Sequence, residues 1–258
     1  MSGMDSSDVY RDEARRNGVP EHAIDLALSL ARPQIELGPS SEGGGILAGR
    51  YGGLPSLPPD STWDGYLDFV ASVDCAALPR DALDIPLPGD GHLLFFADRS
   101  DVDGAVLIGK GNSVVHVPAG TATVEKTPDR GGAFSTIDPH PLHARTVRCL
   151  PASADDAVLG DVETARLYME YELEHQDRRR EIDGIGLFLG GYAYSPQDPP
   201  ITGSSPDDEK GGWVLLAQAR LDMPDAPGFT ACPFWIIQRD ELAAMNFGAA
   251  GLVTLTYR

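Results

Sequence analysis

Short apolar segments separated by glycine and proline predict a sheet with few helices. Near the N-terminus, Ile24 and Leu28 recur at helical spacing after Pro20, which predicts a helix that ends before Pro33. The stretch SSDVYRDEARRNG predicts an earlier helix, and residues 161–179 form the best internal candidate. The other apolar segments predict strands: QIEL, YLDFVASVD, GHLLFFAD, AVLIG, SVVHV and ATVEK.

Two stretches of the chain repeat one order of features, which predicts two related strand-rich halves. Each stretch has Gly-Gly, a proline-rich loop, a tryptophan (Trp63 or Trp213), an apolar strand, and then Asp and Pro. Aligning Ala71 with Ala217 brings the two strands into register. Paired aromatic residues follow in both stretches: Phe95-Phe96 and Phe234-Trp235. So long a period is typical of a duplicated half-domain. The alternative is a coincidence between two loops rich in Gly and Pro.

The predicted architecture is a single α+β domain, residues 1–258, with a largely antiparallel sheet. Residues 33–127 and 181–258 are the two strand-rich halves, and residues 128–180 are a connector that carries the central helix. Because a sheet must cover an apolar face, we expect the N-terminal helices and the central helix to pack against it.

Charge and composition narrow the range of partners. The formal net charge is −19, which opposes binding to nucleic acid but permits a basic protein partner. A merely solvated acidic surface is the alternative. No apolar run is long enough to span a membrane, and the N-terminus has no apolar signal region. Three separated cysteines favour reduced thiols and a cytoplasmic location, and we expect a monomer.

Catalytic and metal-binding motifs are absent from the sequence. It has no G-x-S-x-G turn and no nucleotide-binding glycine pattern. His140 and His143 with Asp138 supply too few ligands for a usable metal site, so we interpret the histidines as solvated loop residues. Residues 98–106 do not fit a calcium loop, and Asp103-Gly104 predicts a hairpin turn. We therefore expect no metal and no cofactor, while a Cys-His pair formed in space stays open.

The proline-rich loop carries a family resemblance. GGLPSLPP at residues 52–59, followed by Trp63, LDFVASVD and LLFFAD, resembles the DUF1963 (YwqG-like) family of uncharacterised bacterial proteins. LGGYAYSPQDP and LLAQARLD extend the resemblance over residues 33–257, while Ser72 and Arg220 depart from the family pattern. The resemblance implies a soluble bacterial protein and supplies no catalytic residues.

The loop itself has two interpretations, a rigid strap over the core or the wall of a groove. Its glycines permit close backbone approach, and its prolines fix an extended segment. Candidate ligand-facing residues lie in this loop and near the strand ends: Trp63, Asp68, Asp74, Tyr192, Gln197, Trp213, Gln218, Arg220 and Asp222. We predict a non-enzymatic binding or interaction module for a basic protein partner or a small polar ligand, with an immunity-like role as one version. The alternative is an enzyme of unrecognised type with its active site in a cleft between the halves.

Overall fold

The computed structural model describes residues 6–39, 45–99, 106–107, 112–129, 136–151, 163–168, 170–171, 186–194 and 212–257. Every structural statement below concerns these residues. The Asp103-Gly104 turn, Gln197 and most of the predicted central helix lie outside them.

Four α-helical segments are described, and the first two lie where the sequence predicts them. They are α1 (Ser6–Arg16), α2 (Glu21–Leu30), α3 (residues 163–168 and 170–171) and α4 (Arg239–Ala243). Three short 3-10 turns are described as well: Cys75–Ala77, Arg80–Ala82 and Phe247–Ala249. Tyr10 of α1, Ile24 of α2 and Tyr168 of α3 are buried in one cluster with Leu150. Helices α1, α2 and α3 therefore share an apolar cluster of their own, whereas Leu242 of α4 is buried in the cluster formed by sheet residues.

The strands form a long antiparallel sheet, which confirms the predicted α+β class. They are β1 (Arg32–Gly38), β2 (Ile46–Tyr51), β3 (Ser56–Leu57), β4 (Asp68–Asp74), β5 (His92–Ala97), β6 (Val106–Leu107), β7 (Val114–Val117), β8 (Val124–Glu125), β9 (His140–Cys149), β10 (Leu187–Gly190), β11 (Trp213–Ala219), β12 (Leu221–Asp222), β13 (Thr230–Gln238) and β14 (Gly251–Tyr257). The order in the sheet is β6-β14-β13-β11-β10-β1-β9-β2-β4-β5-β7, with β12 also paired to β13. Strands β3 and β8 form a separate pair.

Strand β9 lies at the centre of the sheet, although the sequence pattern assigned its residues to a connector. It runs for 10 residues between β1 and β2. Its buried positions alternate at Leu142 and Ala144, as a half-buried strand requires. Pro141 and the polar residues between the buried ones conceal that alternation, because proline is rare inside sheets. His140 and His143 therefore lie on a strand and are half-buried, not in a solvated loop.

The sheet curls until its two ends approach each other. Ser113, next to β7, donates a hydrogen bond to the backbone oxygen of Ala250, next to β14, at 3.3 Å. Phe95 of β5 meets the Trp235 ring of β13 edge-on, with ring centroids 5.1 Å apart. The indole Nε1 of Trp235 donates to the backbone oxygen of Phe96 at 2.9 Å. Since β5 and β13 are far apart in the strand order, these contacts bring distant strands together around a common apolar interior.

Two strand pairs share the same irregularity. The register of β4 against β5 shifts between Phe69 and Ala71, and that of β11 against β13 shifts between Leu215 and Ala217. The bulged positions therefore agree with the alignment of Ala71 with Ala217. The register brings Phe95 rather than Phe96 into correspondence with Trp235.

Paired glycines mark the ends of β2 and β10 in the same way. Gly52 and Gly53 have φ values of 65° and 77°, and Gly190 and Gly191 have values of 67° and 71°. Left-handed backbone of this kind favours glycine. The strand order nevertheless mixes the predicted parts of the chain. Strand β1 of the first half lies beside β10 of the second, and β9 of the predicted connector lies beside β2.

Candidate functional site

A cavity of about 220 Å³ lies at the start of β9. Strands from both sides of β9 in the sheet order meet there. Four parts of the chain reach it: the end of β2, the residue that follows Asp98 after β5, residues 136–140, and β12. Its lining residues are Tyr51, Arg99, Thr136, Ile137, Asp138, His140, Leu221 and Asp222. Residues that are far apart in sequence therefore line one partly open cavity.

Tyr51 joins the two sides of the cavity. Its side chain is buried, and its hydroxyl donates to the backbone oxygen of Arg220 at 3.1 Å. The ring stacks on His140, with centroids 4.8 Å apart and an interplanar angle of 25°. Burial raises the pKa of Tyr51 far above its ordinary value, because the phenolate would lose its hydration. Tyr51 is therefore a neutral hydrogen-bond donor at physiological pH.

Arg99 brings a buried positive charge to the cavity. Only 5% of the residue is exposed, and its Nε donates to Oδ2 of Asp68 at 2.8 Å. Asp68 is the first residue of β4, so this ion pair holds the segment after β5 against the neighbouring strand. Removing one partner of a buried pair leaves the other charge uncompensated, which costs about 3–5 kcal/mol. The Asp68 carboxylate thus balances the charge of Arg99 within the structure.

Two carboxylates, one imidazole and the side chain of Thr136 complete the polar lining. Asp138 and Asp222 are exposed, whereas His140 is half-buried. The His140 Nδ1 atom lies 3.3 Å from the backbone oxygen of Asp138. Its Nε2 atom is buried and has no hydrogen-bond partner within the described part of the chain. An unsatisfied buried polar atom of this kind costs about 1–3 kcal/mol.

The glycines of the proline-rich loop position one wall of the cavity. A Cβ atom at Gly52 would lie 2.4 Å from the backbone oxygen of Ile137 and 2.8 Å from that of Asp138. The Gly53 N–H donates to the same Ile137 oxygen at 2.9 Å. The absence of side chains here lets residues 136–138 approach β2, so this part of the loop contributes indirectly to the cavity.

Three of the residues singled out in the sequence lie at or next to the cavity. Asp222 lines it, Asp68 pairs with Arg99, and Arg220 supplies the backbone oxygen that accepts from Tyr51. The Arg220 guanidinium itself lies over the ring of Tyr257, 5.4 Å from its centroid.

Two other candidates near the loop and the first strands make structural contacts. Trp63 is buried before β4, and its Nε1 donates to the backbone oxygen of Leu67 at 2.9 Å. The Asp74 carboxylate accepts from the backbone N–H of Ala76 and caps a short turn. Trp213 differs from Trp63 in position, because it is the first residue of β11 and is half-buried. The two tryptophans therefore have different surroundings.

The remaining described candidates hold backbone segments. The Tyr192 hydroxyl donates to the backbone oxygen of Leu30 at 2.8 Å. Gln218 is fully buried, and its Oε1 accepts from the backbone N–H of Tyr194 at 3.0 Å while its Nε2 donates to the Tyr194 oxygen. The two hydrogen bonds of this one side-chain amide tie the chain after β10 to β11.

Sequence reasoning did not select Tyr51 or Arg99. Tyr51 directly precedes the Gly-Gly pair, and Arg99 follows the buried strand β5, so each stands beside a segment that the pattern did identify. Their role depends on the curl of the sheet, which no local pattern encodes. His140 was considered only as a metal ligand. Within the described residues, no three His, Cys, Asp or Glu side chains are close enough to hold a metal ion.

Comparison with known proteins identifies a family. The model of the family described as Domain of unknown function (DUF1963) matches residues 49–254, which is most of the chain, and confirms the resemblance seen in the loop. No curated protein matches the sequence. In the described part of the chain, no helix has both the length and the apolar character needed to cross a membrane.

Proposed function

Since this chain belongs to the DUF1963 family, whose function is unknown, we propose from its own cavity that it is a non-catalytic binding module for a small polar ligand. The observation that carries the proposal is a cavity with a mixed polar and apolar lining, formed by strands from both sides of β9 in the sheet order. A buried guanidinium and a buried tyrosine hydroxyl are held rigidly around it. Rigid positioning of this kind lowers the entropic cost of binding.

The size of the cavity limits the ligand. A volume of 220 Å³ corresponds to about seven water molecules at about 30 Å³ each. Pockets for drug-sized ligands are larger, about 300–1,000 Å³. The ligand is therefore a small metabolite or one side chain of a larger molecule.

The chemistry of the lining supports binding more strongly than catalysis. A tyrosine that acts as nucleophile or base needs an accessible phenolate, and the raised pKa of the buried Tyr51 opposes it. The Tyr51 hydroxyl already donates to a backbone oxygen, and Arg99 already pairs with Asp68. These groups are committed to holding the walls, which favours a preformed receptor over the alternative of an enzyme.

A duplicated origin is consistent with the position of the cavity. The shared bulges of β4 and β11 and the matching glycine pairs support two related halves, although β9, from the predicted connector, pairs with β2 of the first half. Ligand sites commonly form where two such units meet. The expected cytoplasmic location remains a prediction.

Blocking the cavity tests the proposal. Thr136 is an exposed lining residue, so Thr136→Trp should fill the mouth without disturbing the core. Thr123→Trp places the same ring at an exposed site that does not line the cavity. Each variant and the wild type are screened by thermal shift against small amines, carboxylates, phosphates and sugars, since a native-state ligand raises the Tm.

The expected result is a Tm increase for the wild type and Thr123→Trp, and none for Thr136→Trp. A compound that stabilises all three proteins equally binds elsewhere, and this result would contradict the proposal. A screen in which no compound class raises the Tm of the wild type would also overturn it.

The net charge favours a second candidate function, binding of a basic protein. A charge of −19 attracts cationic surfaces and speeds their association. An immunity-like role, in which the partner is a basic toxin, is the finer version of this candidate. A pull-down from native lysate at low and high salt tests it. A stoichiometric basic partner released by salt would support it, and recovery of no stoichiometric partner would count strongly against it.

A further inference from the structure

We propose that the ligand of this cavity is a small organic cation, an ammonium or guanidinium group on a short chain. The inference rests on the proposed binding function and adds the chemical class of the ligand. It derives from the balance of charges around the cavity, from the way Arg99 is already paired, and from the volume available.

The described charges around the cavity are predominantly negative. Asp138 and Asp222 line it, and Asp68 pairs with Arg99. The lining thus has two carboxylates, while the one guanidinium is already paired with Asp68, in a chain whose formal net charge is −19. A positively charged ligand gains from both the local and the overall field.

The Arg99–Asp68 ion pair is less exposed than the two carboxylates that line the cavity. Arg99 and Asp68 balance each other, with the arginine side chain 6% exposed and the aspartate side chain 29% exposed. Asp138 and Asp222 are the more exposed groups, so they are the charges that an incoming ligand meets. They come from different elements, the segment before β9 and the short strand β12, so one cation between them would bridge the two sides.

Two other ligand classes fit the lining less well. An anion would have to compete with Asp68 for Arg99 while passing two exposed carboxylates. A calcium ion needs about six to eight oxygen ligands at short distance. No group of three potential metal ligands exists among the described residues, so the lining lacks the oxygen ligands that calcium requires. Two carboxylates do suit an organic cation.

Three four-carbon compounds test the sign of the ligand's charge. Putrescine, butanediol and succinate have the same chain length and carry positive, neutral and negative ends. Each is titrated into the full chain by isothermal calorimetry at low and at physiological ionic strength. We expect heat of binding for putrescine alone, and weaker binding at the higher ionic strength because salt screens exposed charges.

Substitution of the exposed carboxylates locates the binding. Asp222→Asn and Asp138→Asn should each weaken putrescine binding by about threefold to tenfold, the range for a partly exposed ion pair and a charge-assisted hydrogen bond. Asp60→Asn removes the same charge from an exposed turn that does not line the cavity, and it should leave the affinity within about twofold. Equal losses in all three variants would show a general charge effect and would overturn the assignment to this cavity.

A second pair of compounds distinguishes a free amine from a protein side chain. Nα-acetyl-lysinamide and Nα-acetyl-norleucinamide differ in the terminal ammonium group. If the lysine derivative binds more tightly than putrescine, the cation belongs to a basic protein; if putrescine binds more tightly, it is a free amine. Both results support the proposal, and binding of the norleucine derivative to the same extent would overturn it.

The outcomes separate this inference from the proposed function. If succinate or butanediol binds and Thr136→Trp abolishes that binding, the cavity is a ligand site but its ligand is not a cation. If no compound in these sets or in the wider screen binds, both proposals are wrong.

Discussion

Gln218 provides the clearest test of how buried hydrogen bonds stabilise the sheet. Its amide is fully buried and makes two hydrogen bonds to the backbone of Tyr194. The variant Gln218→Leu leaves the Tyr194 N–H and oxygen without these partners, at a cost of about 1–3 kcal/mol each. The leucine recovers about 1–2 kcal/mol by burying an apolar side chain. From the middle of these ranges, about 4 kcal/mol lost and about 1.5 kcal/mol recovered, we expect the free energy of unfolding to fall by about 2–3 kcal/mol.

Urea denaturation followed by tryptophan fluorescence measures this loss, with Gln238→Leu as the control. Gln238 is half-buried at the end of β13, and its replacement should change the free energy of unfolding by less than about 0.5 kcal/mol. For a chain of this size, each kcal/mol lowers the Tm by about 2–4 °C. If Gln218→Leu unfolds within about 1 kcal/mol of the wild type at an unchanged m value, the reasoning is refuted.

Three further results are expected. Gly52→Ala should destabilise more than Gly120→Ala, because both have positive φ but only the Gly52 Cβ would meet a backbone oxygen, at 2.4 Å; similar Tm losses would contradict this. A hydrogen bond from Arg15 lowers the pKa of Glu21 to about 2, so its stabilising effect exists above pH 4.5 and is lost as the pH falls towards 2. Glu21→Gln should remove that pH dependence in acid unfolding curves, and unchanged curves would count against the contact. Burial raises the pKa of the Cys75 thiol to about 11. All three cysteines are buried, so a disulfide reagent should modify them slowly near neutral pH and rapidly in urea; fast native labelling would contradict their burial.

Local patterns were sufficient to predict the first two helices and several strands. Alternating residues predicted β4, and the apolar run GHLLFFAD predicted β5. Pro20 and the glycine at position 18 set the bounds of the first two helices. In each case the signal lies within about ten neighbouring residues, and turn residues mark its limits.

The centre of the sheet could not be predicted in this way. The proline and charged residues of β9 conceal its buried alternation, and its place between β1 and β2 depends on long-range pairing. The curl of the sheet is also non-local, because it depends on contacts such as that between Phe95 and Trp235.

The candidate site followed from the sequence only where its residues stand at strand ends. Asp68 and Asp222 were selected for that reason, and the structure brings both to the region of the cavity. Tyr51 and Arg220 are separated by 169 positions, so their hydrogen bond has no counterpart in any local motif. Other candidates, such as Trp63, were selected for their residue type, yet they make structural contacts.

A crystal structure of the protein soaked with putrescine tests the central claim most directly. The account predicts electron density for the amine inside the cavity, with its nitrogens near the carboxylates of Asp138 and Asp222. The Tyr51 hydroxyl should still donate its hydrogen bond to the backbone oxygen of Arg220. Density for the amine only at other surface sites, with water alone between Tyr51 and Asp222, would contradict it.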